Sequence, residues 1–277
     1  MIMHVFDAHC DLLWKMAENK PSCLTAEALA AADVRLLTAA IFEGNPTDRA
    51  IIKKQMKLAE SITRVGDCRI VPAFEGLSWV KSRKDTEVIL NHRPVYVGPV
   101  WNHANFFGGS CHEDAPLTPF GRCFLDEIAQ SGAAIDLAHA GEAMMVSCME
   151  QPWRLIFSHG NVFEVCPHPR NLKKKMIRAL AERNGFFGIS LYAGFVGDTS
   201  VETLFRHIEA VLEAGGEKIL GFGSDLDGCT EVVGGNGTAV FPEIYEEMKK
   251  RNYPDALIRG IFYGNWERIL SETAKSR

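Results

Sequence analysis

The chain has 277 residues, 47% of them hydrophobic, and a formal net charge of -5. That length supports one large core, of the size of a single α/β barrel, and the mild negative charge excludes the basic face that a nucleic-acid partner needs. No apolar run is long enough to span a bilayer; residues 1–7 lack a basic leader and a cleavage site, and residues 271–277 are polar, so a cytoplasmic protein without leader or lipid anchor is expected. The eight cysteines run from Cys10 to Cys229 with no Cys-x-x-Cys pair, and are expected as free thiols.

In chain order, apolar runs rich in Val, Ile, Leu, Phe and Ala cover residues 4–9, 34–42, 69–75, 94–101, 133–139, 155–159, 186–192 and 219–225. Each suits a parallel strand buried on both faces. Helix signals lie between them. Ile51, Leu58, Ile62 and Val65 form a stripe. Thr118 and Pro119 read as N-cap and first helical position, followed by Phe120, Phe124 and Ile128 and closed by Gly132. The run Lys173-Lys174-Lys175 reads as a solvated face at the start of a helix. Thr199-x-x-Glu202 reads as a capping box ahead of Val201, Leu204, Ile208, Val211 and Leu212, with Gly215-Gly216 at the end. There is no repeat, low-complexity segment or linker. Eight alternations predict a single (β/α)8 TIM barrel over residues 1–277; a doubly wound open sheet is the alternative.

In such a barrel, the active site lies at the C-terminal ends of the strands. Those ends carry, in order, His9 with Asp11, then Glu75, Trp101, His139, His159, Tyr192 and Asp225, while the second strand ends apolar at Ile41-Phe42. Spacing two puts His9 and Asp11 on one side of a strand, within reach of one ion. A lone histidine after an apolar strand is most often a hydrogen-bonded core residue. Three of them with Glu75 and Asp225 point instead to metal, because apolar runs do not end in charge without a partner. Three imidazoles with two or three carboxylates suit Zn²⁺, or Mn²⁺ or Co²⁺ in its place. They exceed what one tetrahedral ion uses, so two ions sharing a carboxylate are expected.

The segments Asp7-Ala8-His9-Cys10-Asp11, Phe74-Glu75-Gly76, Ile135-Asp136-Leu137-Ala138-His139 and Ser158-His159-Gly160-Asn161 resemble the membrane (renal) dipeptidase family of zinc metallopeptidases. So do His168-Pro169-Arg170-Asn171, Gly223-Ser224-Asp225-Leu226-Asp227-Gly228 and Gly264-Asn265-Trp266. The resemblance runs from about residue 4 to 270, with the motifs in family order. It implies a metal-dependent hydrolase barrel of the amidohydrolase-like type, with two Zn²⁺ per chain. His9 and Asp11 would hold one ion, His139 and His159 the other, and Glu75 would bridge them. Asp225 would transfer the proton, and Arg170 would clamp the substrate carboxylate. Animal members carry a substrate-binding histidine at the fourth strand's end. Trp101 stands there here, in a Trp-Asn pair similar to the microbial branch, and His103 is a candidate substitute that suits a surface position equally well. No lysine stands there to form a carbamylated bridge, which sets phosphotriesterase-like and dihydroorotase-like relatives apart. Trp101, Asn105 and Tyr192 join Arg170 as candidate substrate contacts, and the Gly-rich stretch 229–238 is expected to shape the pocket.

The resemblance thus implies a hydrolase cleaving the peptide bond of dipeptides, D-residues included, by attack of a metal-bound hydroxide. Its partner would be a small peptide, with no nucleic acid and no membrane, and a homodimer is compatible. The alternatives are a same-fold hydrolase of a lactone, an N-acyl amino acid or a cyclic amide, and a non-catalytic metal-binding barrel.

Overall fold

The computed structural model describes residues 3–235 and 237–276. Met1, Ile2, Asn236 and Arg277 lie outside them, and with them parts of the readings made on the two termini and on the stretch 229–238. Among the described residues, nine strands form one sheet: β1 (Val5–Cys10), β2 (Val34–Phe42), β3 (Arg64–Val65), β4 (Cys68–Glu75), β5 (Tyr96–Gly98), β6 (Ala134–Asp136), β7 (Leu155–Gly160), β8 (Phe186–Ile189) and β9 (Leu220–Phe222). The two-residue β3 only adds an antiparallel edge to β4. The remaining eight run parallel in the order β2-β1-β9-β8-β7-β6-β5-β4, and β2 pairs with β4 from Leu36↔Arg69 to Phe42↔Glu75 to close the ring. This is the (β/α)8 barrel expected from the alternation, not an open sheet.

Four strands stop short of their apolar runs: β5, β6, β8 and β9 end three residues before Trp101, His139, Tyr192 and Asp225 respectively. At β6 and β7, side-chain oxygens replace the ladder. Asp136 Oδ1 accepts the N–H groups of Ala138 and Ser158 at 3.1 and 2.8 Å. On the facing side, Asp7 Oδ1 accepts those of His9 and Ser224 at 3.2 and 2.8 Å. The chain therefore leaves the sheet with its backbone donors satisfied and is free to turn histidines and carboxylates inward.

The barrel interior is filled by inward residues of successive strands: Ala8, Leu36, Val71, Ala73, Tyr96, Ala134, Ile156 and Phe186. The C-terminal helix Asn265–Lys275 adds Trp266 and Ile269 to this cluster. Trp266 Nε1 donates to Thr38 Oγ1 at 3.0 Å, and Asn265 Nδ2 donates to Leu220 O at 2.7 Å. The Gly264-Asn265-Trp266 motif therefore docks this helix on the interior layer, and its role is stability.

Helix registers depart from the sequence reading in three places. In the helix Arg49–Ser61 the fully buried residues are Ile52, Gln55 and Met56, so Ile51 lies one position off the buried face, to which a glutamine belongs; Leu58, Ile62 and Val65 pack partly buried against the core, with Ile62 as the C-cap and Val65 in β3. In the helix Pro119–Gln130, Thr118 Oγ1 caps Gly121 N as expected, but Phe120 points outward at 48% exposure while Gly121 and Leu125 are buried. The helix Val201–Glu213 is capped by Ser200, whose Oγ accepts from Thr203 N, not by Thr199. Asp198 takes the role of the box by accepting from Ser200 and Thr203. The lysine run is ion-paired: Lys173 and Lys175 with Glu142, and Lys174 with Glu213. The eight cysteines are free, and no helix of the described residues is long and apolar enough to cross a membrane.

Candidate metal centre and active site

His9 leaves β1 with its ring fully buried and its Nδ1 held by the Tyr96 hydroxyl at 2.8 Å. Its Nε2 therefore faces the barrel axis. There it lies 3.6 Å from Asp11 Oδ2, 3.8 Å from Glu75 Oε2 and 3.8 Å from Asp225 Oδ1. The other oxygen of Glu75, Oε1, lies 2.9 Å from His139 Nε2 and 3.5 Å from His159 Nε2. One carboxylate thus presents one oxygen to His9 and the other to the His139–His159 pair, whose Nε2 atoms are 3.2 Å apart.

Each imidazole is oriented from behind. His139 Nδ1 donates to Asn102 Oδ1 at 2.9 Å, an amide oxygen that can only accept, so the Nε2 lone pair points inward. His159 Nδ1 meets Ser158 Oγ at 2.9 Å, and Ser158 Oγ donates to Asp136 Oδ2 at 2.6 Å. The serine hydrogen is committed to the carboxylate, so Nδ1–H is the donor and Nε2 is again left with its lone pair. A polar atom holding the outer nitrogen while the inner one faces the centre is the arrangement of metal-binding histidines.

Asp225 stands in a loop tied to β1: its N–H donates to His9 O at 3.1 Å, and Asp11 N donates to Leu226 O at 2.9 Å. It is held at φ 64, a left-handed conformation that an aspartate tolerates and that concentrates at functional sites. Gly228 makes room for it, because a Cβ there would lie 2.2 Å from Asp11 Oδ2 and 2.8 Å from Asp225 Oδ1.

The electrostatics call for a cation. Burial pushes Glu75 well above the usual carboxylate range and Asp225 up to about 7, with Asp11 adding repulsion to both. Burial also opposes the imidazolium of His9, yet Glu75, Asp11 and Asp225 together lift it to about 10. Burial, with Arg170 and His9 as neighbouring cations, holds His139 and His159 well below 6.5. Two donor groups fall within ion-binding distance, His9–Glu75–His159 and His9–Asp11–Asp225, and His9 belongs to both. The buried His9 Nε2 has no hydrogen-bond partner. An orphaned imidazole nitrogen among carboxylates fits a divalent cation of the zinc class.

Arg170 lies in the loop beyond β7. Asn171 fixes this loop by accepting from Asn161 N at 3.0 Å and donating to Phe195 O at 2.7 Å. The guanidinium is buried and stacks over Phe195, 5.2 Å from the ring centre. Its Nη1 donates to Ala138 O at 3.2 Å and its Nη2 to His159 Nε2 at 2.7 Å and His159 O at 3.3 Å, while Nε has no partner.

The centre opens into a cavity of roughly 520 Å³, within the usual size range of a small-molecule site. Trp101 and Tyr192 line it, as does Arg170. Asn105 does not. Its Nδ2 donates to Pro99 O and its Oδ1 accepts from Phe107 N, both at 2.9 Å, so it braces the loop, and the expectation of a substrate contact is corrected. His103 is exposed and paired with Glu113 at 3.0 Å, a surface position. The sequence reading missed Tyr96, Asn102, Ser158 and Asp136, which stand behind the histidines, and Trp14, Phe42, His112 and His168, which line the cavity. The signal for Asp136 was present, since a carboxylate inside an apolar strand needs a partner.

The sequence profile of a family described as membrane dipeptidase (peptidase family M19) matches residues 36–277. An uncharacterized protein of the pqqA 5' region in Klebsiella pneumoniae is 27% identical over 190 residues, 63% of this chain and 70% of that protein. Dipeptidase tcpJ of Claviceps purpurea is 28% identical over 222 residues, 76% of this chain and 52% of its own, so this chain spans about half that relative's length. Among solved structures, the metallopeptidase of Rhodobacter sphaeroides liganded with a phosphinate mimic of L-Ala-D-Ala superposes with a TM-score of 0.86 at 19% identity, covering 99% of this chain and 100% of that one. That last likeness is one of fold. The match over residues 36–277 places the chain in the membrane dipeptidase family, peptidase family M19, as a hydrolase of the metallo-dipeptidase type.

Proposed function

We propose that the chain hydrolyses dipeptides at a two-zinc centre, with D-residues among its substrates. The observation that carries this reading is the placement of Glu75, whose two carboxylate oxygens face separate histidine groups. His9 and Asp11 would hold one ion and His139 and His159 the other, with Glu75 between them; Mn²⁺ or Co²⁺ would suit the same donors. When bound, such ions supply Lewis acidity to the scissile carbonyl and lower the pKa of a coordinated water to about 7.

The chain's own residues do the rest. Asp225, at the cavity wall and 3.8 Å from His9 Nε2, accepts the proton of the attacking water and returns it to the leaving amine. Arg170 offers its unpartnered Nε and an Nη2 that donates to His159 O at 3.3 Å and to His159 Nε2, an acceptor that cannot serve a guanidinium and an ion at once. Those two N–H groups suit a free C-terminal carboxylate. The family and the dipeptide mimic in the Rhodobacter sphaeroides relative support this substrate class, and the D-residue of that mimic supports the stereochemical extension.

The test is a two-by-two comparison of wild type and Arg170→Ala on a free and an amidated dipeptide. The mutation is expected to lower kcat/KM for the free dipeptide roughly 10- to 150-fold, the range of a charged hydrogen bond, and to leave the already poor amide nearly unaffected. Equal loss on both substrates makes Arg170 structural. A zinc-loaded wild type that prefers the amide, or cleaves neither, brings forward a lactone, N-acyl amino acid or cyclic amide as substrate.

A further inference from the structure

β2 ends in the apolar Phe42, and Asn45 of the loop beyond it shares the cavity wall. Phe42 is fixed with care. Its N–H donates to Gln55 Oε1 at 2.9 Å, and its C=O accepts from Gln55 Nε2 at 2.8 Å, while Gln55 itself is fully buried. A buried amide that clamps both backbone groups of a strand's last residue holds the ring in one place. That ring packs edge-on against Trp14 at 6.2 Å and at a tilt of 58° against Trp101 at 5.0 Å, and all three line the cavity.

The ring order locates this wall relative to Arg170. Around the closed barrel, β7 and β2 are four strands apart in either direction, through β6, β5 and β4 or through β8, β9 and β1. The loop carrying Arg170 follows β7, so Arg170 and Phe42 stand on opposite sides of the mouth with the donor cluster between them. A dipeptide whose carboxylate is held at Arg170 and whose scissile bond lies over the centre points its N-terminal residue at Phe42.

We infer that Trp14, Phe42 and Trp101 form the subsite for the substrate's N-terminal side chain, and that the enzyme selects dipeptides in which that side chain is large and apolar. The inference rests on the dipeptidase reading and on the orientation set by Arg170. Three pre-placed rings reward an apolar group with buried area at little ordering cost. Lys15 and Lys20 stand over the Trp14 ring, 5.4 and 4.8 Å from its centre, with Lys20 paired to Glu18, and an ammonium buried against the three rings would lose its hydration.

The experiment uses zinc-loaded full-length protein and two dipeptide series, X-Ala and Ala-X, with X as Gly, Leu, Phe or Lys. For X-Ala, kcat/KM is expected to rise by at least roughly tenfold from Gly to Phe, mainly through KM, with Lys at the low end. The Ala-X series should be flatter. Phe42→Ala and Trp101→Ala should collapse the X-Ala gradient with zinc content retained. Phe42→Leu, which keeps apolar bulk, should keep a Gly-to-Leu gradient and so separates lost recognition from lost folding. A flat X-Ala series, a gradient that follows the C-terminal residue, or one that survives both alanine variants overturns the subsite while leaving dipeptide hydrolysis standing. A loaded wild type that cleaves no dipeptide overturns the subsite and the dipeptidase reading together.

Discussion

Beneath the donor cluster lie two buried carboxylates that the chemistry does not use directly. Asp7 accepts from Ser224 Oγ at 2.5 Å as well as from backbone, and Asp136 does the same from Ser158. Only the second reaches an imidazole, through Ser158 to His159 Nδ1. That relay fixes the tautomer of His159 and makes its Nε2 a better donor to a cation. Ser158→Ala keeps the fold's apolar packing but leaves Nδ1–H and an oxygen of Asp136 unpaired. The expected outcome is a 10- to 100-fold loss of zinc affinity, roughly the worth of an outer-shell partner, measured by competition with a chromophoric chelator. Wild-type affinity in the variant would show that the relay is packing only. At this scale the sequence was informative wherever a charged group ended an apolar run: His9, Asp11, Glu75, His139, His159 and Asp225 were all read that way, and the structure gathers them. Tyr96, Asn102 and Ser158 were not legible, because hydroxyls and amides are common and each acts only through a partner supplied by another strand. Asn105 was placed at the substrate for want of knowing which asparagine of its loop turns inward; Asn102 does.

Among elements, the barrel strands were readable from their apolar runs, and their ends were not. The ladder stops where Asp7, Asp136 and Asn161 side chains take over the backbone donors, an exchange between strands that no single strand reveals. Helix faces slipped by one residue where a polar side chain belonged to the core, as at Gln55. His207 is another polar side chain in the core, on the helix Val201–Glu213, where the expected face of Leu204, Ile208 and Val211 is buried as read. It is fully buried, its Nδ1 accepting from Val162 N at 3.1 Å and its Nε2 donating to Val196 O at 2.9 Å. It thus ties the helix to the segment after β7 and to the turn after β8, and needs to be neutral to do so. Burial holds its pKa below 6.5. Below that pH the unfolded chain binds more protons than the native one, so the stability His207 contributes is complete above pH 6.5 and is lost as pH falls below it. The slope is at most about 1.4 kcal/mol per pH unit for one group. His207→Gln retains one acceptor and one donor without titrating. Comparing urea midpoints at pH 7.5 and 5, the variant should lose less stability than wild type. His139, His159 and His168 are shifted down as well, but they are present in both proteins and cancel in the difference. Identical pH dependence would mean that His207 does not carry the effect.

Taken whole, the molecule is a closed ring held differently at its two ends. One end and the interior layer beside it are apolar: Trp266 and Ile269 pack on the inward residues of β1, β2 and β4 to β8, and none of these contacts involves the donor cluster. The other end gathers Asp11, Glu75 and Asp225 around the His9 imidazole, whose single charge cannot balance three carboxylates, with Arg170 nearby. Like charges crowded in a dry site cost stability until a cation compensates them. The donors come from β1, β4, β7, the segment after β6 and the loop after β9, so bound ions would cross-link five of the eight staves. Ligand binding to the native state alone stabilises by about 4 kcal/mol at a thousandfold excess over Kd. For a chain of this size that corresponds to a rise in Tm on the order of 10 °C. Chelation should therefore lower Tm by about that much, zinc or manganese should restore it, and magnesium, which suits oxygen donors and keeps its waters, should not. The loss should also be uneven: hydrogen exchange should quicken in the loops after β1, β6, β7 and β9, while the amides of the Trp266 helix keep their protection. A Tm indifferent to chelation would remove the metal reading. A Tm that falls with protection lost evenly would mean instead that the apolar end does not stand without the ions.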